Sequence, residues 1–243
     1  MIEIGFNSIF LLEFKLKPMI VGNGLIGQAF VNFDREDVVF FASGVSNSLE
    51  ADPNQFLREE NLLLEKLKEF PTKCFVYFST CSIYDSSKVQ SQYVNHKLKM
   101  EHLVAQNSAD FLIARVSNAV GKGGNQNTLI NYLIHSIKAQ NEISVHINAT
   151  RNLIDVEDIV QIVLDLIDRN KTNQIVNVAY LFNYKIVEIL ALVENYLQQN
   201  AKMKLIQEGQ NYSIETKEVE FYFKQNQLLD KEIYLNNILK KYY

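Results

Sequence analysis

The sequence predicts an α/β protein built on a Rossmann-like parallel sheet with helices on both faces. Short apolar segments alternate with longer amphipathic ones, a pattern that favours parallel strands joined by helices. A glycine-rich segment at residues 22–27 follows the first apolar segment and opens a helical one. The next apolar run begins at Val38, which leaves little room after the first βα unit. We therefore expect a sheet shortened by the loss of strands at that point.

The individual elements follow from local pattern. Residues 38–42 are continuously apolar, as in a strand buried on both faces, and Pro53 stands where a proline suits the first turn of a helix. Predicted strands cover residues 18–21, 38–42, 75–79, 111–115 and 175–179. Predicted helices cover residues 25–32, 53–70, 93–105, 128–139, 156–167 and 186–197. The aromatic residues 221–223 are predicted to be strand core.

Composition narrows the class of protein. The chain is 47% hydrophobic and carries a net charge of −4, so it can form a globular core and has no excess of basic residues for nucleic acid. Its longest early apolar run, residues 9–12, is too short to span a membrane. Residues 1–18 also lack the basic start and cleavage site of a signal peptide. The four histidines show no metal-ligand spacing, so no metal is expected.

The two cysteines indicate the redox environment. Cys74 and Cys81 flank the predicted strand at residues 75–79, which would hold their sulfur atoms too far apart to bond. Two free thiols are typical of a reducing compartment, and we expect a cytoplasmic protein.

The glycine segment, Gly-Asn-Gly-Leu-Ile-Gly, has the G-x-G-x-x-G spacing of a dinucleotide-binding turn. The first glycine permits the tight turn, the second lets the backbone approach a pyrophosphate, and the third lets the helix pack closely on the strand. A tight turn without a ligand is the alternative, but the strand before and the helix after favour a cofactor. The predicted cofactor-binding residues here are Gly22, Asn23, Gly24, Leu25, Ile26 and Gly27.

The acidic residue that usually holds the adenine ribose, about 20 residues further along the chain, has no clear equivalent. The polar candidates are Asp34, Arg35, Glu36 and Asp37, and none of them is assigned.

Three residues further along suggest chemistry on a substrate oxygen. Thr80 ends a predicted parallel strand, where ligands bind in open α/β sheets. Tyr93 and Lys97 are four residues apart, so they share one helix face. An ammonium beside a phenol favours the phenolate, and a phenol so tuned can exchange a proton near neutral pH. A surface helix carrying Tyr and Lys by chance is the alternative, but the order of glycine turn, Thr80 and Y-x-x-x-K favours a site.

This order of motifs resembles the extended short-chain dehydrogenase/reductases, the NAD-dependent epimerase/dehydratase family that acts on nucleotide sugars. The resemblance covers about residues 19–200. Residues 42–44 fall where that family lines the cofactor. Residues 115–121 match R-x-x-N-x-x-G, whose Asn reaches the sugar nucleotide, and residues 151–158 match R-x-x-I-x-V-x-D, whose Arg contacts a phosphate.

The resemblance assigns roles residue by residue. It implies Thr80, Tyr93 and Lys97 as catalytic residues. It implies Ala42, Ser43, Gly44, Tyr93 and Lys97 at the cofactor, and Thr80, Asn118 and Arg151 at the substrate. The family's dehydratases carry an acidic residue just after the Ser/Thr, where this chain has Cys81 and Ser82, which argues against a dehydratase. Cys81 is expected to be a structural thiol rather than a proton shuttle.

The implied function is an NAD- or NADP-dependent epimerase or keto-reductase acting on a nucleotide-linked sugar, in surface polysaccharide biosynthesis. A homodimer is implied as well, paired through the helices at residues 53–70 and 93–105. Packing on the sheet is the alternative explanation of their apolar faces, which carry Leu57, Leu64, Leu67, Met100 and Leu103, and the two explanations are compatible. The alternative is a non-catalytic regulatory protein that binds NAD(P) or a sugar nucleotide on a degenerate form of the fold, an idea motivated by the shortened adenine side. The predicted organisation is an extension with no assigned role at residues 1–18, a dinucleotide-binding core at 19–120 and a substrate-facing lobe at 121–243.

Overall fold

The computed structural model describes residues 19–33, 35–88, 90–123 and 128–243; the predicted extension and Asp34 lie outside these ranges. The strands are β1 (Met19–Val21), β2 (Val38–Phe41), β3 (Cys74–Thr80), β4 (Asp110–Val116), β5 (Asn118–Val120), β6 (Glu142–His146), β7 (Thr150–Arg151), β8 (Leu153–Asp155), β9 (Gln174–Val178), β10 (Tyr184–Lys185) and β11 (Lys202–Ile206). The helices are α1 (Leu25–Ala29), α2 (Pro53–Glu69), α3 (Gln92–Asn107), α4 (Leu129–Lys138), α5 (Val156–Asp168), α6 (Ile186–Leu197), α7 (Lys217–Gln225) and α8 (Lys231–Tyr242). Two short 3₁₀ helices, Cys81–Tyr84 and Ser86–Lys88, follow β3.

The centre of the fold is a five-stranded parallel sheet in the order β1-β2-β3-β4-β9. Every residue of β2 and β3 is buried, as expected of strands covered on both faces. Helices pack on both sides of this sheet, and the α/β fold predicted from alternation is confirmed.

The shortening of the sheet is also confirmed. Within the described ranges, β1 pairs only with β2, which follows α1 directly in the chain. Arg35, just before β2, forms ion pairs with Asp37 and with Asp168 at the end of α5. This corner is therefore closed by charged side chains rather than by additional strands.

The remaining strands form three small sheets beside the central one. β5 pairs with β8 and β6 with β11, both in parallel, whereas β7 and β10 are antiparallel. A continuous apolar core runs from Phe30 at the first helix to Leu239 in the last. None of the described helices combines the length and the apolar composition that crossing a membrane requires.

One predicted element is wrong. Residues 221–223 lie in helix α7 and not in a strand, because one face of this segment is apolar at helical spacing. Val219 and Phe223, four residues apart, are buried, while Phe221 is 63% exposed. The Tyr222 hydroxyl donates to Asp158 Oδ1 on α5, at 2.7 Å. The presence of three adjacent aromatic residues therefore did not reveal that the buried residues of this segment are spaced as in a helix.

Candidate functional site

A cavity of about 1140 Å³ opens at the carboxyl ends of the parallel strands. This is the edge at which open α/β sheets bind their ligands, and the volume is on the scale of a pocket for a large organic ligand. The glycine turn, the segment after β2, the end of β3, the start of α3 and the segment after β4 all contribute to its lining. The topology thus brings residues from widely separated stretches of chain to one place.

The three glycines of the turn have different surroundings. Gly22 has a φ of +122°, and a Cβ there would lie 2.5 Å from the carbonyl of Ala42. A Cβ at Gly27 would lie 2.5 Å from the Gly22 oxygen, whereas one at Gly24 would meet nothing within 4 Å. Gly22 and Gly27 therefore permit close backbone packing and lie behind the cavity. Gly24 faces open space, and the residues that line the cavity here are Asn23, Gly24, Leu25 and Ile26.

The segment after β2 also faces the cavity. Ala42, Ser43 and Gly44 line it, beside the glycine turn. Arg58 of α2 reaches the same place and donates to the Ser43 carbonyl oxygen at 3.1 Å. Nothing in the sequence distinguished Arg58 from the other charged residues of this helix.

Thr80 lies at the end of β3, buried under the cavity floor. Its Oγ1 accepts a hydrogen bond from the Ser82 backbone N–H at 3.0 Å, which caps the 3₁₀ helix that follows. This contact uses the oxygen only as an acceptor, and no described group accepts the hydroxyl proton, so Thr80 can donate that proton to a ligand.

Tyr93 and Lys97 lie on one face of the first two turns of α3, and both line the cavity beside Thr80. Among the described residues, no group hydrogen-bonds to the Tyr93 hydroxyl. Lys97 differs, because its Nζ donates to Glu59 Oε1 at 3.1 Å and to the Tyr77 hydroxyl at 3.1 Å. The structure therefore brings Thr80, Tyr93 and Lys97 together, and Glu59 and Tyr77 hold the lysine in place.

Glu59 was not predicted as a site residue. It is fully buried on α2, and its two carboxylate oxygens contact four groups. Burial alone would raise its pKa, but the hydrogen bond from His96, the charge of Lys97 and the Tyr77 hydroxyl together lower the pKa to about 2. A signal was present in the sequence: Glu59 shares the buried helix face of Leu63 and Leu67, at a spacing where an apolar residue is expected.

The two thiols are free, as predicted, and both are buried. Cys81 Sγ donates to the Arg115 carbonyl oxygen at 3.0 Å, and burial raises the pKa of this thiol to about 12. A thiol with that pKa stays protonated near neutral pH. Nowhere in the described part of the chain do three or more metal-ligating side chains gather.

The two predicted substrate contacts differ in position. Asn118 lines the cavity, and its Nδ2 donates to the Asn152 carbonyl oxygen at 2.7 Å. Arg151 does not line the cavity: its Nη1 donates to the Thr150 carbonyl oxygen and lies 3.9 Å from Asp85 Oδ2.

A further cavity residue, Tyr212, comes from the segment after β11 and lies close enough to Arg151 to feel its charge. Burial raises the pKa of the Tyr212 hydroxyl, so it stays protonated near neutral pH. No motif marked Tyr212 in the sequence.

Solved structures with the same fold hold nicotinamide cofactors. RMD from Pseudomonas aeruginosa, solved with NADPH, superposes with a TM-score of 0.69 at 18% identity over 93% of this chain and 98% of that one. UDP-glucuronic acid 4-epimerase from Bacillus cereus, with UDP-glucuronic acid and NAD, gives 0.66 at 16% identity over 84% and 73%. dTDP-glucose 4,6-dehydratase from Bacillus anthracis, with NAD, gives 0.65 at 16% identity over 84% and 71%. At these identities the likeness establishes the fold alone.

Sequence similarity, unlike the structural likeness, identifies a family for this chain. No curated protein matches the chain significantly. The family model for the NAD dependent epimerase/dehydratase family, however, matches residues 26–179, which is more than half of the sequence. That match covers the segment after β2, the end of β3, the Tyr93–Lys97 helix and the strand β9. The chain therefore belongs to the NAD-dependent epimerase/dehydratase family.

Proposed function

We propose that this protein is an NAD- or NADP-dependent epimerase or keto-reductase that acts on a nucleotide-linked sugar. One observation carries the proposal: Thr80, Tyr93 and Lys97 line the same cavity as the glycine turn. Two elements, β3 and α3, which are joined through the two short 3₁₀ helices, bring these three side chains together. The family and the ligands of the solved relatives support a nucleotide sugar as the substrate class.

The cavity can hold the nicotinamide part of a dinucleotide cofactor. The lining residues 23–26 and 42–44 would hold it, since a Cβ at Gly24 would meet no atom of the described residues within 4 Å. A bound nicotinamide supplies or accepts a hydride at its C4 atom. The choice between NAD and NADP stays open, because relatives are solved with each.

The side chains have complementary roles in proton transfer. The Tyr93 hydroxyl, free of protein partners in the described residues, would exchange a proton with a sugar hydroxyl or keto oxygen. Thr80 would donate its free proton to the same oxygen and orient it. Lys97 would favour the ionised form of Tyr93 by its charge, from a fixed position in the cavity lining beneath the proposed place of the nicotinamide ribose.

The substrate would extend past Asn118, whose side-chain oxygen remains available as an acceptor. Arg151 would meet a substrate phosphate at the rim, beside Tyr212, and would have to turn away from Asp85 to do so. These two assignments come from the family motifs, and their geometry favours Asn118.

The reaction type follows from what stands after Thr80. Removal of water needs an acid or base with a pKa near neutral, and Cys81 and Ser82 do not supply one. Epimerisation or keto-reduction therefore remains as the proposed chemistry, with surface polysaccharide biosynthesis as the proposed setting.

We also propose the division into a nucleotide-binding core at residues 19–120 and a substrate-facing lobe at 121–243, and a homodimer paired through α2 and α3. Leu57 and Leu64 on α2 and Leu98 on α3 are exposed, which suits such a pairing.

The test has a binding arm and a turnover arm. Purified protein is titrated with NADH and with NADPH by fluorescence, then incubated with UDP-glucose, UDP-galactose and UDP-glucuronic acid, and with 4-keto nucleotide sugars and reduced cofactor. We expect one cofactor to bind and one substrate to turn over. Tyr93→Phe should lower turnover by about 10²–10⁴-fold and should lower cofactor affinity by a much smaller factor. The control is Tyr196→Phe, which loses a hydroxyl on α6, away from the cavity.

A non-catalytic binding protein remains the second candidate, and one observation favours it. In the described residues the sheet ends at β1, where strands flanking the adenine half would stand. Binding of NADH or NADPH without turnover of any nucleotide sugar would support this candidate. Unchanged turnover in Tyr93→Phe would refute the catalytic account given above.

A further inference from the structure

We propose that Glu59 is a positioning residue of the site, which fixes Lys97 at the cavity floor and balances its charge beside Tyr93. The inference rests on the proposed function for its catalytic consequence, but the contact between Glu59 and Lys97 is independent of it. Neither the glycine turn nor the Y-x-x-x-K motif contains Glu59.

Lys97 is held by the protein through all of its donors. Its side chain is only 3% exposed, and Nζ lies 3.1 Å from Glu59 Oε1, 3.1 Å from the Tyr77 hydroxyl and 3.4 Å from the Phe78 carbonyl oxygen. An ammonium has three N–H groups, and three acceptors surround this one. Lys97 is therefore a fixed charge rather than a mobile side chain that samples the cavity.

Glu59 is fixed in turn by groups from three other segments. Its Oε2 accepts the Val45 backbone N–H at 2.6 Å and the His96 ring N–H at 3.1 Å. Its Oε1 accepts the Tyr77 hydroxyl at 2.7 Å, in addition to Lys97. A carboxylate with four donors has little freedom to move, so the position of Lys97 depends on this anchor.

Gly44 links the pair to the cofactor segment. A Cβ at Gly44 would overlap Lys97 Nζ and would lie 3.0 Å from Glu59 Oε1. The absence of a side chain there leaves room for the ion pair directly beneath a segment that lines the cavity. A ligand placed along residues 42–44 would therefore lie over a charge that Glu59 has already positioned.

Removal of the Glu59 charge has a defined electrostatic consequence. The titratable groups that face this carboxylate are Tyr77 from β3 and His96 and Lys97 from α3, with Tyr93 one turn before. Without the carboxylate, the uncompensated ammonium would favour the ionised form of Tyr93 and would more readily lose its own proton. Both changes move the pH range of activity downward.

The experiment compares Glu59→Gln with Glu60→Gln. Glu60 is the neighbouring carboxylate on α2 and pairs with the exposed Lys99, so its loss changes the charge equally but at the surface. Two properties are measured on the full chain: the pH profile of turnover, and the rate at which acetic anhydride modifies Lys97, followed by mass spectrometry. We expect Glu59→Gln to move the profile down by about one pH unit and to speed Lys97 modification about tenfold. Glu60→Gln should change neither.

Gly44→Ala provides a second perturbation, which displaces the pair without removing a charge. It should also speed the modification of Lys97. A folded Glu59→Gln protein with the wild-type pH profile and wild-type Lys97 reactivity would overturn the inference, since Glu59 would then be a packing residue.

If Glu59→Gln does not fold, the double variant Glu59→Gln/Lys97→Met decides the matter, because the glutamine keeps an amide oxygen that can accept from the Val45 N–H or the Tyr77 hydroxyl. A folded double variant supports the coupling of the two charges, and an unfolded one overturns it. Failure of the proposed function is distinguishable, because a wild-type protein without turnover still reports on Glu59 through the modification of Lys97.

Discussion

The two sides of the cavity are built by different means. The glycine-turn side, residues 23–26 and 42–43, lies at the edge of the sheet and includes the open backbone at Gly24. The tyrosine–lysine side, Thr80, Tyr93 and Lys97, stands over the middle of the sheet on a buried network of charges and hydroxyls. The first side depends on the lack of a side chain at Gly24, and the second depends on the hydrogen-bonding partners of Lys97.

This difference has a physical lesson. A side made of open backbone can lose ligand affinity without loss of stability, because nothing in the folded chain depends on the open space. A side made of buried polar groups couples the two properties, because each group left without a partner destabilises the fold as well as the site. Four measurements test whether the two sides of the cavity differ in this way.

The largest effect is expected for Lys97→Met. It leaves the buried Glu59 carboxylate without its counter-charge, which costs about 3–5 kcal/mol in the free energy of unfolding. Urea unfolding measures this loss. Lys99→Met, which removes an exposed lysine of the same helix, is the control and should change stability by less than about 0.5 kcal/mol. Equal losses in the two variants would contradict the distinction between the two sides.

Acid should weaken the same network. The pKa of Glu59 falls from 4.5 to about 2 in the folded protein, so its contribution is present above pH 4.5 and is lost as the pH falls toward 2. The shift corresponds to about 3 kcal/mol of stability. Unfolding free energies measured across this range should fall more steeply for the wild type than for Glu59→Gln, with Glu60→Gln as the control. Parallel curves for the wild type and Glu59→Gln would show that Glu59 is not responsible.

Behind the glycine-turn side, where Gly22 packs closely against Ala42, Gly22→Ala should cost about 2–3 kcal/mol, through an unfavourable positive φ and overlap with the Ala42 carbonyl. Thermal unfolding monitored by circular dichroism measures this effect. A melting temperature equal to that of the wild type would mean that the turn has an alternative geometry.

Gly24→Ala should have the smallest effect on stability, below about 0.5 kcal/mol, because its new methyl group would meet nothing within 4 Å. The methyl group would nevertheless occupy the space proposed for the cofactor, so the affinity for NADH or NADPH should fall. Titration of Gly24→Ala beside the wild type separates the two properties. A stable variant with unaltered affinity would place the cofactor elsewhere.

Much of the fold followed from pattern alone. Continuous apolar runs located the buried strands β2 and β3, and helical spacing located α2 and α6 to within a residue or two. The short stretch between Gly27 and Val38 was enough to predict the shortened sheet. The small sheets were harder to predict, because β7 and β10 are two residues long and depend on partners far along the chain.

The site was predictable where local spacing determines geometry. Tyr93 and Lys97 share a face because helices repeat every 3.6 residues, and Thr80 ends a strand. The partners of Lys97 could not be derived in this way, because Glu59 and Tyr77 reach it from other elements. Phe221 misled for a related reason: its aromatic neighbours suggested a strand, although the period of burial is helical.

The missing side chain at Gly44 has a consequence for sequence variation. The Lys97–Glu59 pair occupies the space beside Gly44, so a larger residue at position 44 and the pair cannot both be accommodated. Among related short chains we expect a glycine at the position of Gly44 to accompany an acidic residue at the position of Glu59. A larger residue in place of Gly44 should accompany the loss of that acidic residue. Such paired substitutions would reflect the position of the Lys97 ammonium between these two residues.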